Sequence, residues 1–475
     1  MQQHGLLNSD NDPKALTLQA RLIKDRAKRA LDTVTRERLF EESADLYTKA
    51  AALNHATYPL INAASLLLFA GKRSQSEQLA RQVLDLIEGN AEEGETSYWR
   101  EATRAEALLL LNQEHEARVS LATAIATQPQ AWEDHAATIM QFCLILAAQG
   151  KDGEWLNCYR PPVSIHFSGI TGLSPGRDAV SEAIEQFIAQ AKPGFAYGAL
   201  AAGADLLFAQ AFIEYRNLQC PTAELHVILP FPVDQFRKIS VQTFGDHWLP
   251  MFDYVIDQAA SVTALGRDDP PLDLAIEFAD RVAMGHAVRN AQILASQTLG
   301  VTVAAPGKAL RPQLTSWQAA GRPLRVIESP NELSPTNHSA AQTGNRRLKS
   351  LIWAIQADWS GITSQPEEDW RTQSDARGRW LVCDNLIEAC QLAVELARTS
   401  EAARVSILQA ILDPLQPALT LLDRAAALAE ASSSALVATD ECTAMWLILA
   451  SWFGAIEEFG ELHTAWGREA VWSVS

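Results

Sequence analysis

The chain has 475 residues, 48% hydrophobic and 20% charged, a globular composition too long for a single core, so about three domains are expected. A formal net charge of -18 speaks against bulk binding to nucleic acid or to an anionic membrane, while leaving room for a local basic site. The six cysteines (Cys143, Cys158, Cys220, Cys383, Cys390, Cys442) form no C-x-x-C pair, the N-terminus carries no apolar signal core, and the longest apolar run, Met445 to Ile456, is too short for a bilayer. Reduced, mostly core thiols in a soluble cytoplasmic protein are the expectation.

Residues 1–158 read as helical. Ala15 to Ala52 carries apolar positions at helical spacing with no Pro or Gly. Two similar units follow, one opening at Tyr58-Pro59-Leu60-Ile61-Asn62-Ala63-Ala64 and one at Tyr98-Trp99-Arg100-Glu101-Ala102-Thr103. Their offset of about 40 residues suits stacked helix pairs, which bury their apolar faces only against neighbours. The pattern Tyr58-x-x-Ile61-Asn62-Ala63-Ala64 with Gly71, then Tyr98-Trp99-x-x-Ala102-Thr103, resembles the bacterial TRAFs-binding, tetratricopeptide-type domain over roughly residues 35 to 150. That resemblance implies a protein-interaction module. Asn62, Trp99 and Glu106 are either a binding site or residues that cap and pack the helices.

At Arg160-Pro161-Pro162 the period changes. Strand-like runs at Val163 to Phe167, Phe195 to Leu200, Leu225 to Leu229, Val262 to Leu265 and Val301 to Ala305 alternate with helical ones at Ala179 to Ala191 and Asp205 to Tyr215. Such alternation predicts a parallel sheet across residues 159–328, with ligands outside the carboxyl ends of its strands. Candidate ligand contacts there are Ser168, Gly169, Ile170 and Thr171 after the first strand, and Gly198, Gly203, Ala204 and Asp205 after the second. Pro230, Lys308 and Arg311 complete the set. Glycine turns between strand and helix let a phosphate approach bare backbone and the first helical N–H groups. Asp205 is a ribose or helix-ordering contact, or a plain acid that stabilises the helix dipole, and His166, inside a strand, reads as a satisfied core histidine.

The turn Gly198-x-x-x-Ala202-Gly203-Ala204-Asp205 resembles the signature of the SLOG superfamily, the Rossmann-like group that includes cytokinin-activating phosphoribohydrolases and nucleotide-sensing domains. Leu229-Pro230, Trp248 and the Asn290-bearing helix fit the same group. The resemblance implies a nucleotide-derived ligand. The family's enzymes use a Pro-Gly-Gly-x-Gly-Thr loop and a glutamate, where this chain has Pro306-Gly307-Lys308-Ala309-Leu310-Arg311-Pro312. Binding without catalysis is therefore expected, with Lys308 and Arg311 as point charges on a phosphate or simply as exposed loop cations. The alternative is nucleotide N-glycosidase activity from rearranged acids such as Asp205 or Glu277.

Residues 329–345 have the Pro- and Ser-rich character of a tether. In residues 346–475, Arg346-x-Leu348-Lys349, Leu381-Val382-x-Asp384, Arg424-Ala425-Ala426 and Leu462-x-x-Ala465-x-Gly467 follow in the order of a class III nucleotidyl cyclase, which the segment resembles. Active cyclases need two metal-binding aspartates, an Asn/Arg pair and a Lys. The corresponding positions are Ile355 and Arg377 (Asp358 and Asp375 lie out of register), Asp423 and Ala427, and Trp466. A pseudo-cyclase is expected, with no catalytic residues, metal ligands or cofactor. It would pair with itself or with an active cyclase, as a homo- or hetero-dimer or scaffold partner. Trp353, Trp359, Trp370 and Trp380 are interface anchors or core. The expected architecture is multidomain α + α/β: an N-terminal α-solenoid, a central Rossmann-like parallel sheet and a C-terminal α+β cyclase-like domain. It points to a cytoplasmic signalling protein with a nucleotide-derived ligand and protein partners, and without nucleic acid or membrane.

Overall fold

A computed structural model of the chain describes residues 11–30, 32–89, 96–173, 177–266, 271–329, 346–360, 373–374, 376–414, 417–432, 436–464 and 467–475. The tether at 330–345, Trp370, Asp375 and Trp466 lie outside these. The chain divides into two compact units, Met1–Pro161 with Ile293–Ala295, and Pro162–Gln292 with Ser296–Ser475.

The first unit is a run of antiparallel helix pairs: α1 (Pro13–Arg29), α2 (Thr33–Asn54), α3 (Thr57–Phe69), α4 (Arg73–Glu88), α5 (Ser97–Leu110), α6 (Glu114–Thr127) and α7 (Trp132–Ala148). The single helical stretch expected from Ala15 to Ala52 is two helices. Asp32 accepts the N–H of Thr35 at 2.7 Å and so starts a new helix after Ala30 turns extended. The core joins α3 to α7 through Leu60, Ile61, Leu109, Leu121, Ile139 and Phe142.

The second unit opens with β1 (Ser164–Ser168), α8 (Arg177–Ala191), β2 (Phe195–Gly198), α9 (Ala204–Gln219) and β3 (Glu224–Leu229). It continues through α10 (Val233–Phe236), α11 (Leu249–Gln258), β4 (Ser261–Ala264), α12 (Leu272–Ile293), β5 (Thr298–Ala304), α13 (Pro312–Ala319) and β6 (Leu324–Glu328). The six strands pair in parallel in the order β4-β3-β2-β1-β5-β6. Strand β6 and the helical turns from α10 to α11 were not anticipated.

A second sheet follows: β7 (Arg347–Ile355), β8 (Gln373–Ser374), β9 (Arg379–Cys383), α14 (Leu386–Arg398), β10 (Arg404–Leu412), α15 (Leu419–Ala431), β11 (Val437–Asp440), α16 (Glu441–Leu449), β12 (Ile456–Thr464) and β13 (Gly467–Val474). Its order is β12-β13-β11-β10-β7-β9-β8, antiparallel except for β10 beside β11. The apolar run at Met445 ends α16, with Met445 and Leu447 fully buried. Trp353 and Trp380 stack at 5.2 Å inside this core, so they pack rather than anchor an interface. Cys383 and Cys390 are buried, Cys143, Cys220 and Cys442 partly buried and Cys158 exposed, so most of the six sit in or against the core, as expected. A helical N-terminal region, a parallel sheet and a mixed sheet make up the architecture. Among the described residues no helix is long and apolar enough to cross a membrane.

Candidate functional site

Strands β1 to β4 run outwards on one side of β1, and the chain then returns to place β5 and β6 on the other side. The carboxyl ends of β1 and β5 therefore flank a switch point, where open parallel sheets leave a crevice. Ser168 closes β1, and its hydroxyl reaches that of Thr302 on β5 at 3.4 Å.

The two glycine turns meet here, and they pack against each other. The N–H of Ala204 donates to Ile170 at 3.1 Å and that of Gly172 to Ala202 at 3.2 Å, while Thr171 and Gly203 form a β-bridge. Gly203 sits at φ +120, and a Cβ there would lie 2.7 Å from the Ile170 carbonyl. A Cβ on Gly169 would lie 2.3 Å from that of Ala204, and one on Gly198 2.6 Å from the Phe167 carbonyl. These glycines allow protein backbones to approach one another, where the sequence pattern suggested approach by a phosphate. The first N–H of α9 is likewise occupied by Ile170.

What the switch point holds is a buried polar cluster. Asp205 is 8% exposed and orders the turn, its Oδ2 accepting the N–H of Ala201 at 3.3 Å, while its Oδ1 is buried without a partner. Burial pushes this carboxyl up to about 7; Arg311 opposes the shift, and the charge of Asp280 adds to it. Asp280, on α12, is bonded by His166 Nε2 at 2.8 Å and by Gln313 Nε2 at 2.7 Å, and pairs with Arg311 at 3.4 Å. Although burial works against its charge, Arg311, His166 and Gln313 hold Asp280 below the usual carboxylate range. One guanidinium nitrogen of Arg311, Nη2, and His166 Nδ1 are buried without partners. His166 is a core residue as expected, satisfied at one nitrogen.

The structure thus brings together Ser168, Gly169, Ile170, Thr171, Gly203, Ala204, Asp205 and Arg311. Pro230 ends β3, two strands from β1, and Lys308 is exposed on the turn after β5, its N–H donating to Ala305. Asp280, Thr302 and Gln313 escaped the sequence reading. The available signal was an acid set among Ala279, Val282 and Ala283, all buried positions of α12. Glu277, expected as a rearranged acid, is instead ion-paired with Arg281 at 2.8 Å, and the acid that acts on Asp205 is Asp280.

In the second sheet Arg377 pairs with Asp423 at 2.5 Å, and Asp358 is bonded to Ser360. Asp423 and Arg377, expected at a transition-state and a metal position, are thus paired with each other. In the first unit Lys24 donates to Asn62 at 3.0 Å, and Ser65 and Gln141 donate to Glu106 at 2.6 and 2.9 Å. Asn62 and Glu106 therefore tie α1, α3, α5 and α7 together.

The sequence profile of the family described as Tetratricopeptide Repeats-Sensor matches residues 2–67. The helices of residues 2–67 are therefore similar to tetratricopeptide repeats, which supports a regulatory or protein-interaction role. The match lies further N-terminal than the resemblance placed at residues 35 to 150. No curated protein matches the chain. Among solved structures, an adenylate/guanylate cyclase/hydrolase from Silicibacter pomeroyi is similar at 13% identity, covering 27% of this chain and 96% of that one with a TM-score of 0.23. A mutant O-GlcNAc transferase from Thermobaculum terrenum is similar at 13% identity over 67% of this chain and 75% of that one, with a TM-score of 0.19. Likenesses of that size assign no activity to this chain.

Proposed function

We propose that the protein is a regulatory sensor whose six-stranded sheet binds a nucleotide-derived anion, with the helical repeats and the seven-stranded sheet relaying occupancy through protein contacts. One observation carries this reading. Asp205 Oδ1 and Arg311 Nη2 are buried, unpartnered and within electrostatic reach of each other at the switch point. A carboxyl that keeps its proton near neutrality is a donor, and so is a guanidinium, so the two suit a phosphate oxygen. The seven-stranded sheet takes the part of a pseudo-cyclase that pairs with itself or with an active cyclase. Calorimetric titration with a panel of nucleotides and cyclic nucleotides tests the sensor. Absence of binding, or binding left unchanged by Gly203→Val and Arg311→Gln, refutes it.

A second reading has one specific support: Asp205 and Asp280 are neighbouring carboxyls whose affinities for protons are driven apart, the arrangement an acid and a stabilising anion require. On it, Asp205 protonates the departing base of a nucleotide as its C1′–N bond breaks, Asp280 steadies positive charge on the ribose, and water adds to C1′ and gives its proton back to Asp205. Release of free base from a nucleotide panel, abolished by Asp205→Asn, separates this enzyme from the sensor.

A further inference from the structure

Helix α12 has two jobs on two faces. On the face towards β1, Asp280 gathers His166, Gln313 and Arg311 at the crevice. A stripe at 278, 281, 285 and 289, spaced by three and four residues and so aligned along the helix, meets the seven-stranded sheet and its helix α16. Phe278 lies 5.6 Å from the ring of Trp446, and the Arg281 guanidinium stands 5.0 Å over the same ring. The Arg289 guanidinium lies 4.0 Å over Trp472 of β13. Between them, Gly285 lets α12 touch the backbone of α16: a Cβ there would lie 2.2 Å from the Met445 carbonyl oxygen. Glycine inside a helix costs about 1 kcal/mol against alanine, and here it permits a contact no other residue allows.

The far side of that contact is also tied down. Asp440 caps α16 by accepting the N–H of Thr443 at 2.9 Å, and it pairs with Arg424 at 2.9 Å. Arg424 in turn holds Glu469 of β13 at 2.8 Å. A chain of contacts, part-buried at Phe278, Arg281, Arg289 and Trp446, therefore runs from Arg311 and Asp280, through one helix, to the core of the seven-stranded sheet.

We propose that α12 is the coupling element of the protein, so that occupancy of the Asp205–Arg311 crevice and docking of residues 346–475 against α12 are thermodynamically linked. The direction of signal rests on the sensor reading; the mechanical link between the two faces does not. An anion that draws Arg311 off Asp280 changes what holds α12, and α16 cannot follow independently because Gly285 leaves no gap. By reciprocity, releasing α16 changes affinity in the crevice by the same factor that ligand changes docking.

The test uses the full chain and hydrogen exchange of the amides of residues 441–449. Without any ligand, Asp280→Asn, which weakens the grip of Arg311 while keeping the side chain's size, is expected to speed that exchange several-fold. Unchanged exchange overturns the coupling whatever the ligand. With AMP as probe, the wild type should slow exchange at 441–449. Gly285→Ala and Trp446→Leu, one adding an atom at the contact and one removing a ring, should shift AMP affinity on the order of fivefold or more. Equal affinity in both variants, with α16 shown to be released, also overturns the proposal. AMP that fails to bind the wild type counts against the sensor reading, and the Asp280→Asn arm then decides the coupling by itself.

Discussion

Asp205→Asn is the sharpest probe of the crevice, because it removes a proton equilibrium while keeping the shape. The carboxyl titrates near 3.8 in an unperturbed chain and at about 7 in the folded protein, where burial disfavours the anion. Between those values the folded state holds a proton that the unfolded state has lost, so the contribution of Asp205 to stability falls as pH rises. The slope is about 1.4 kcal/mol per pH unit, for a total of about 4 kcal/mol, complete once the pH passes 7. Asparagine cannot titrate. Its oxygen can accept the Ala201 N–H, and its amide takes the place of the unpartnered Oδ1. Thermal unfolding of wild type and variant from pH 5 to 8 should therefore give curves that diverge. About 1.6 kcal/mol of the total is already lost at pH 5, and the gap should widen by about 2.8 kcal/mol more as the pH passes 7, so that from pH 5 to 8 the variant should gain roughly 6–11 °C in melting temperature over the wild type, at roughly 2–4 °C per kcal/mol. Shifts from His226 and His286 are common to both proteins and cancel in the difference. The stabilisation from Asp280, whose proton affinity is lowered, is lost only below about pH 4 and stays outside the window. A constant offset across the range would refute the buried, protonated carboxyl.

Three further expectations follow from contacts elsewhere. Arg424→Met removes the guanidinium that both Asp440 and Glu469, 4% and 6% exposed, pair with, and should cost about 3–5 kcal/mol in the transition of the seven-stranded sheet, read by calorimetry. Gly203→Val forces a β-branched residue to φ +120 against the Ile170 carbonyl. It should cost at least about 1–3 kcal/mol, with Gly203→Ala intermediate, both read as melting temperature. Tyr98→Phe removes the 2.8 Å hydroxyl bond to Thr138 between α5 and α7. It should weaken the helical unit by about 1–2 kcal/mol in urea while leaving the unfolding of the two sheets in place.

Much of the element order was legible because it is local. Strand runs such as Leu225 to Leu229 and helices such as Ala179 to Ala191 announce themselves by period, and their observed counterparts, Glu224–Leu229 and Arg177–Ala191, differ at the ends. The break between α1 and α2 was missed because one capping aspartate, Asp32, overrode a continuous helical pattern. The glycine turns were found, but their use was not. A strand–glycine–helix pattern reads the same whether the bare backbone faces a ligand or, as for Gly169 and Gly203, another turn.

The sequence by itself determined that the chain opens with helices, that a strand–helix alternation follows, and that Asp205 stands at a helix start beside glycine turns. All of these rest on spacings of a few residues. Only the tertiary structure decided that Asp205, Asp280 and Arg311 converge, that Glu277 does not join them, and that α12 carries the crevice on one face and the seven-stranded sheet on the other. Those facts depend on strand order, which sets β5 beside β1 across more than a hundred residues of chain, and on burial, which turns an ordinary aspartate into a carboxyl that keeps its proton near neutrality. Neither strand order nor burial is a property of any local stretch of sequence.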